Sequence, residues 1–118
     1  MGDLSKNFSS HEFECKCGCG FDDVDSELVL VLQRLRNWWR RPVKINSACR
    51  CEAHNAEVGG SKNSQHLLGK AADITIQGIS PSEVHRYLCE IYPDKFGIGK
   101  YSSFTHIDVR ESKARWTS

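Results

Sequence analysis

At 118 residues the chain is long enough for one hydrophobic core and too short for two. Its composition, 39% hydrophobic and 26% charged, is that of a folded globular domain, without the glycine or proline excess of a disordered one. A formal charge of +1, from 16 basic and 15 acidic residues, removes the electrostatic case for nucleic acid as partner, and no apolar run approaches the length of a membrane span.

The opening residues, Met1-Gly2-Asp3-Leu4-Ser5-Lys6, lack the basic and apolar regions of a secretory signal, so work outside the cytoplasm is expected to depend on release by something else. Residues 1–12 are polar and read as an irregular N-terminal arm of a single domain spanning 1–118. Next comes Phe13-Glu14-Cys15-Lys16-Cys17-Gly18-Cys19-Gly20-Phe21. Three readings of its cysteines stand side by side. They pack a tight turn as small apolar side chains, or they form disulfides to Cys49 or Cys51, which a reducing cytoplasm disfavours. The third is a structural-metal knuckle completed by Cys49 and Cys51, although Cys-x-Cys suits tetrahedral zinc less well than Cys-x-x-Cys.

Asp25 or Ser26 reads as the N-cap of a helix that buries Leu28, Val31, Leu32, Leu35 and Trp38 or Trp39. Arg34, Arg36, Arg40 and Arg41 then form its solvated face and complement its C-terminus. Pro42 ends it, and Val43-Lys44-Ile45-Asn46 reads as a short strand. Arg50 follows at the passage from that strand to a short helix stopped by Gly59-Gly60. An arginine there can grip a carboxylate bidentately, though spacing alone equally fits a surface ion pair.

The polar loop 61–65 delivers His66. Beyond it Ala72, Ile74 and Ile76 form the buried set of a strand, which turns Asp73 to the opposite face. Ser80-Pro81-Ser82-Glu83 is a capping box opening a helix that buries Val84, Leu88 and Ile91; Cys89 on it reads as core. His11, His54 and His85 have no partner at ligand spacing and read as structural. The last quarter reads as two strands, 97–101 and 104–109. In the second, Phe104, His106, Asp108 and Arg110 share one face. A solvated strand face explains that pattern by itself. Paired with Asp73, it points instead to an open three-ligand metal site, with His66 and Asp73 from one segment and His106 or Asp108 from the other, the arrangement that hydrolytic zinc requires.

These residues resemble a known family. The run Ser64-x-His66-x-x-Gly69-x-Ala71-x-Asp73, with the later His106-x-Asp108, is similar to the zinc D-Ala-D-Ala carboxypeptidases and L-alanyl-D-glutamate endopeptidases of bacteria and phages, whose fold hedgehog signalling domains share. The likeness covers about residues 8–116. It includes Asn46-Ser47-x-x-Arg50 with Asn55, and the closing Ala114-Arg115-Trp116. It implies an α+β fold, a small antiparallel sheet with helices packed around it. It also implies a Zn2+ cofactor on His66, Asp73 and His106, with Arg50 binding the substrate carboxylate or polarising its carbonyl, and Ser64 lining the pocket. The substrate implied is a peptidoglycan stem peptide, hydrolysed by a monomer acting on the cell wall after release or on a phage particle. Two positions depart from the pattern. Where many relatives carry a Glu or Asp general base, this chain has Ser103; where others read His-x-His, it has Asp108. Asp108 is therefore expected either to take the proton of the attacking water, to support a ligand, or to be the ligand itself. A non-catalytic zinc-containing module that binds cell wall or protein is the alternative.

Overall fold

A computed structural model of the protein describes residues 2–118, which form three α-helices and a five-stranded sheet. The first helix, α1 (Ser26–Trp39), starts where the Asp25 carboxylate accepts the Glu27 N–H at 2.8 Å, as an N-cap should. Its apolar stripe buries Leu28, Val29, Val31, Leu32 and Leu35. Of the two tryptophans, Trp39 packs against the core, whereas Trp38 is 61% exposed and stacks on Tyr87. Strand β1 (Val43–Ser47) leads into α2 (Glu52–Glu57), and a 3-10 turn (Gln65–Leu68) leads into β2 (Ala71–Ile76). Helix α3 (Pro81–Ile91) is capped by Ser80, whose hydroxyl accepts the Glu83 N–H at 3.2 Å. Strands β3 (Gly97–Lys100), β4 (Thr105–Asp108) and β5 (Ala114–Thr117) complete the chain. None of these helices is long and apolar enough to cross a membrane.

The sheet runs β1-β2-β4-β3-β5. Four strands pair antiparallel, as expected, but β5 lies parallel to β3, so the sheet is mixed. Ala114-Arg115-Trp116-Thr117 alternates apolar and polar over four residues only, too short a run to distinguish a strand from a C-terminal tail. The arm also differs from expectation. Residues 10–13 form a 3-10 turn, Ser9 N–H donates to Glu12 at 2.7 Å, and Phe8 and Phe13 are fully buried in the core. Two isolated phenylalanines among polar residues have no period to betray them, yet each hides a large apolar surface.

The two faces of the sheet have opposite characters. On one, Ile45, Ile74, Ile98 and Ile107 join the leucines of α1 and Val84 and Leu88 of α3 in a single core. On the other, cross-strand register aligns Ser47, Asp73, His106, Gly99 and Trp116 in a row that crosses all five strands. A bulge in β1 between Ile45 and Ser47 brings Ser47, and not Asn46, opposite Asp73. Gly99 leaves room for the Trp116 indole, which a Cβ at that position would strike.

Gly69 joins this sheet to α1. Its φ is +69°, its carbonyl accepts the Asp25 N–H at 2.8 Å, and a Cβ there would collide with the Asp23 carbonyl oxygen. Gly69→Ala is thus expected to destabilise the fold by more than about 1 kcal/mol. An unchanged urea midpoint would show that the turn tolerates a side chain.

Candidate metal centre

His66 sits in the 3-10 turn before β2, where the Ser64 hydroxyl accepts its backbone N–H at 3.2 Å. Its imidazole is 3% exposed, and Nδ1 lies 2.6 Å from the Ala48 carbonyl oxygen. A carbonyl only accepts, so Nδ1 carries the proton and the Nε2 lone pair faces Asp73 Oδ2 at 3.3 Å. On the neighbouring strand, His106 Nδ1 lies 2.9 Å from Asp73 Oδ1. One ligand atom from each of His66, Asp73 and His106 falls within 4.8 Å of the others. The strand face that could have been plain solvated surface is buried: Asp73 and His106 are 8% and 7% exposed.

Burial works to raise the Asp73 carboxyl, but the hydrogen bond from His106 and the charge of that imidazole outweigh it and hold the group well below the usual carboxylate range. His106 shows the complementary balance. Burial pulls its imidazole down, while Asp108 and Asp73, one at each ring nitrogen, push it above its ordinary value.

Asp108 stands on the other side of that ring. Its Oδ2 lies 2.7 Å from His106 Nε2, and it accepts Arg110 Nε and Nη2, both at 2.7 Å, and the N–H groups of Gly97 and Arg110. It is 0% exposed and does not line the cleft described below. Burial raises its carboxyl, and the bonds from His106 and Arg110 more than reverse that. The geometry therefore differs from the expectation of a proton acceptor for water. Both oxygens are occupied, and an imidazole separates them from Asp73. Nor is Asp108 in reach as a ligand in place of His106, since the converging set is His66, Asp73 and His106.

The three residues form the floor of a cleft of about 490 Å³, which Arg50 and Ser64 also line. Arg50 donates from Nε to Ser47 at 3.2 Å, from Nη1 to Asn55 at 3.2 Å and from Nη2 to Asp73 Oδ2 at 3.3 Å. Three of its five N–H groups are so engaged, and the rest remain for a ligand in the cleft. Ser103 is exposed on the β3–β4 loop and lines a different cavity, so no carboxylate from that position enters. Tyr101 and Trp116 also wall the cleft, and Trp116 Nε1 donates to Tyr101 Oη at 3.0 Å. Trp116 belongs to the closing Ala114-Arg115-Trp116 of the family likeness but had no site role from sequence, and Tyr101 had only its aromaticity near the late strands as a signal. Among the described residues, neither His11, His54 nor His85 joins the His66–Asp73–His106 group.

This donor set suits a divalent metal. With His66 in the tautomer fixed by Ala48, Nε2 and Asp73 Oδ2 present electron pairs to each other at 3.3 Å, close to the roughly 3.3 Å edge of a tetrahedral zinc site. His106 would bind through Nδ1, its Nε2–H held by Asp108 in a carboxylate–histidine–metal relay. Metal has to displace the Nδ1 proton, which the metal-free protein holds more tightly than usual. The expected result is that zinc affinity rises with pH up to the raised pKa of His106 and levels off only above it. Calorimetric titration in several buffers checks this. An affinity independent of pH, with no proton released, would contradict it.

A comparison with curated proteins finds no match at the significance required. The model of the family described as Peptidase M15 matches residues 6–108, a span that contains His66, Asp73, His106 and Asp108 but stops short of Ala114–Trp116. M15 peptidases are zinc-dependent, and the converging His-Asp-His group is one that zinc can use. The chain belongs to the M15 peptidases, the family of the zinc D-Ala-D-Ala carboxypeptidases.

Proposed function

We propose that the protein hydrolyses peptide bonds in the stem peptides of peptidoglycan, with zinc on His66, Asp73 and His106. The observation that carries this is the convergence of those three side chains on the floor of an open cleft beside Arg50. Zinc bound there supplies a water acidic enough to be hydroxide near neutral pH, and Lewis-acid polarisation of the scissile carbonyl. The remaining roles belong to the chain. Ala48 and Asp108 fix the tautomers and orientations of the two imidazoles. Arg50 offers its unengaged N–H groups to the carboxylate of a stem peptide or to the oxygen of the tetrahedral intermediate. Tyr101 and Trp116 give the peptide an aromatic wall. Asp73 is the sole carboxylate lining the cleft among the described residues, so Asp108 is assigned the positioning of His106 rather than proton transfer from water.

Arg50→Lys keeps the charge but loses the fork that ties Ser47, Asn55 and Asp73 together. It is expected to lower kcat/KM about a hundredfold, the scale of losing one oxyanion donor, while zinc content stays constant. Wild-type kcat/KM in that variant would remove Arg50 from the substrate site.

On this reading the protein works at the cell wall as a monomer, after release from the cytoplasm or on a phage particle. The exposed Ser103, where a carboxylate base stands in many relatives, favours the second reading, a zinc-bearing module that binds wall without cutting it. Mass spectrometry of muropeptides incubated with the protein, with and without chelator, separates the two. Loss of a terminal D-Ala identifies a carboxypeptidase, and separation at L-Ala–D-Glu an endopeptidase. Sedimentation with cell walls and no cleaved product would leave only the binding module.

A further inference from the structure

Away from the cleft, four sulfurs converge at the surface. Ligand atoms of Cys15, Cys17, Cys19 and Cys51 all lie within 4.8 Å of one another. The Cys15–Cys17, Cys17–Cys51 and Cys15–Cys51 sulfur pairs are 3.4, 3.5 and 3.9 Å apart. These separations exceed the roughly 2.05 Å of a disulfide and bracket the edge of a tetrahedral zinc–thiolate site, about 3.8 Å for Zn–S bonds of about 2.3 Å. Cys49, one residue pair away in sequence, is buried in the apolar core and is not part of the group.

We propose that Cys15, Cys17, Cys19 and Cys51 bind a second, structural zinc ion that clamps the N-terminal segment to the loop carrying Arg50. The backbone accounts for the unusual Cys-x-Cys-x-Cys spacing. Gly18 and Gly20 have φ of +83° and +91°, Gly18 N–H bonds the Cys15 carbonyl at 3.2 Å, and Cys15 N–H bonds the Phe21 carbonyl at 2.8 Å. The segment closes on itself and brings its three alternate sulfurs to one point, whereas an extended run would put them on one face but about 7 Å apart. Two backbone N–H groups also point at sulfur: Cys51 N lies 3.4 Å from Cys15 Sγ, and His54 N lies 3.5 Å from Cys51 Sγ. Such donors stabilise the thiolate form, which soft divalent zinc selects over other ligands.

The placement gives the ion a task. Cys49 N–H bonds the Phe13 carbonyl and Arg50 N–H bonds the His66 carbonyl, each at 3.0 Å. The strip 49–51 therefore lies between the thiolate cluster and the His66 turn, and a metal at the cluster holds Arg50 against the cleft. Loading converts four thiols to thiolates on one zinc, with release of their protons.

The test counts metal in chains where the first centre has been removed, so it does not depend on the peptidase reading. Purified wild-type protein is expected to hold two zinc ions per chain by elemental mass spectrometry. His66→Ala is expected to hold one, and in its cobalt form to show thiolate-to-cobalt charge-transfer absorption in the near ultraviolet. Cys17→Ser/Cys19→Ser should lose that ion and that band while retaining the other zinc. A His66→Ala chain with no zinc and no charge-transfer band would overturn the proposal, whether or not the cysteine variant folds. So would thiol titration under anaerobic denaturation showing two of the four sulfurs already joined as a disulfide.

Discussion

Asp73→Asn is expected to lower stem-peptide hydrolysis about a thousandfold or more and to remove the zinc bound between His66 and His106. Metal stabilisation of transition-state charge is worth several kcal/mol, and each 1.36 kcal/mol is a factor of ten in rate. Asn keeps the volume of Asp73 but not its charge. It also leaves His106 without the carboxylate at Nδ1, 2.9 Å away. Because the Asp73 carboxyl titrates below its ordinary range, its contribution to the metal-free fold is present above the unfolded carboxylate pKa, about 3.9, and lost as pH falls through the lower folded value. The variant should therefore lose both metal and part of the stability that the metal-free wild type shows at neutral pH. Unaltered hydrolysis with full zinc occupancy would take Asp73 out of the centre.

Asp108 gives the second large effect. It is completely buried and binds Arg110 through both oxygens and His106 through one. Asp108→Ala strands those cations, and breaking a buried pair of this kind costs about 3–5 kcal/mol, so the variant is expected to unfold at markedly lower denaturant. Asp108→Asn is milder and more informative. As a positioning residue for His106, it should lower zinc affinity about 10–100-fold, and excess zinc should restore most of the activity with the pH profile unchanged. If zinc-saturated Asp108→Asn stays inactive and loses one limb of that profile, Asp108 transfers a proton after all.

Much of the centre was legible because strands alternate. Once Ala72, Ile74 and Ile76 are assigned to the core, Asp73 must face away from it, and the same rule puts His106, Asp108 and Arg110 on one side of β4. What the alternation does not carry is depth. The polar face of β4 is covered by Trp116 from a parallel strand, whose ring lies 5.0 Å from that of His106, and by the His66 turn. Those contacts are non-local and leave no period in the chain. The choice between base and support for Asp108 depended on a clamp by Arg110 that a sequence lists only as the next residue but one. Helix α1 and helix α3 announced themselves through caps and apolar stripes, whereas Phe8 and Phe13 became core without either. The cysteine segment shows the reverse failing. Its spacing counts against a metal knuckle, yet two glycines with left-handed backbone fold it so that its three sulfurs converge with that of Cys51.

The most direct measurement is anomalous X-ray scattering at the zinc edge from crystals of the protein as purified. A peak is expected within bonding distance of His66 Nε2, an Asp73 oxygen and His106 Nδ1, with Asp108 on the far nitrogen of the His106 ring. Anomalous density absent from that position, in crystals of protein that cleaves stem peptides, would contradict it.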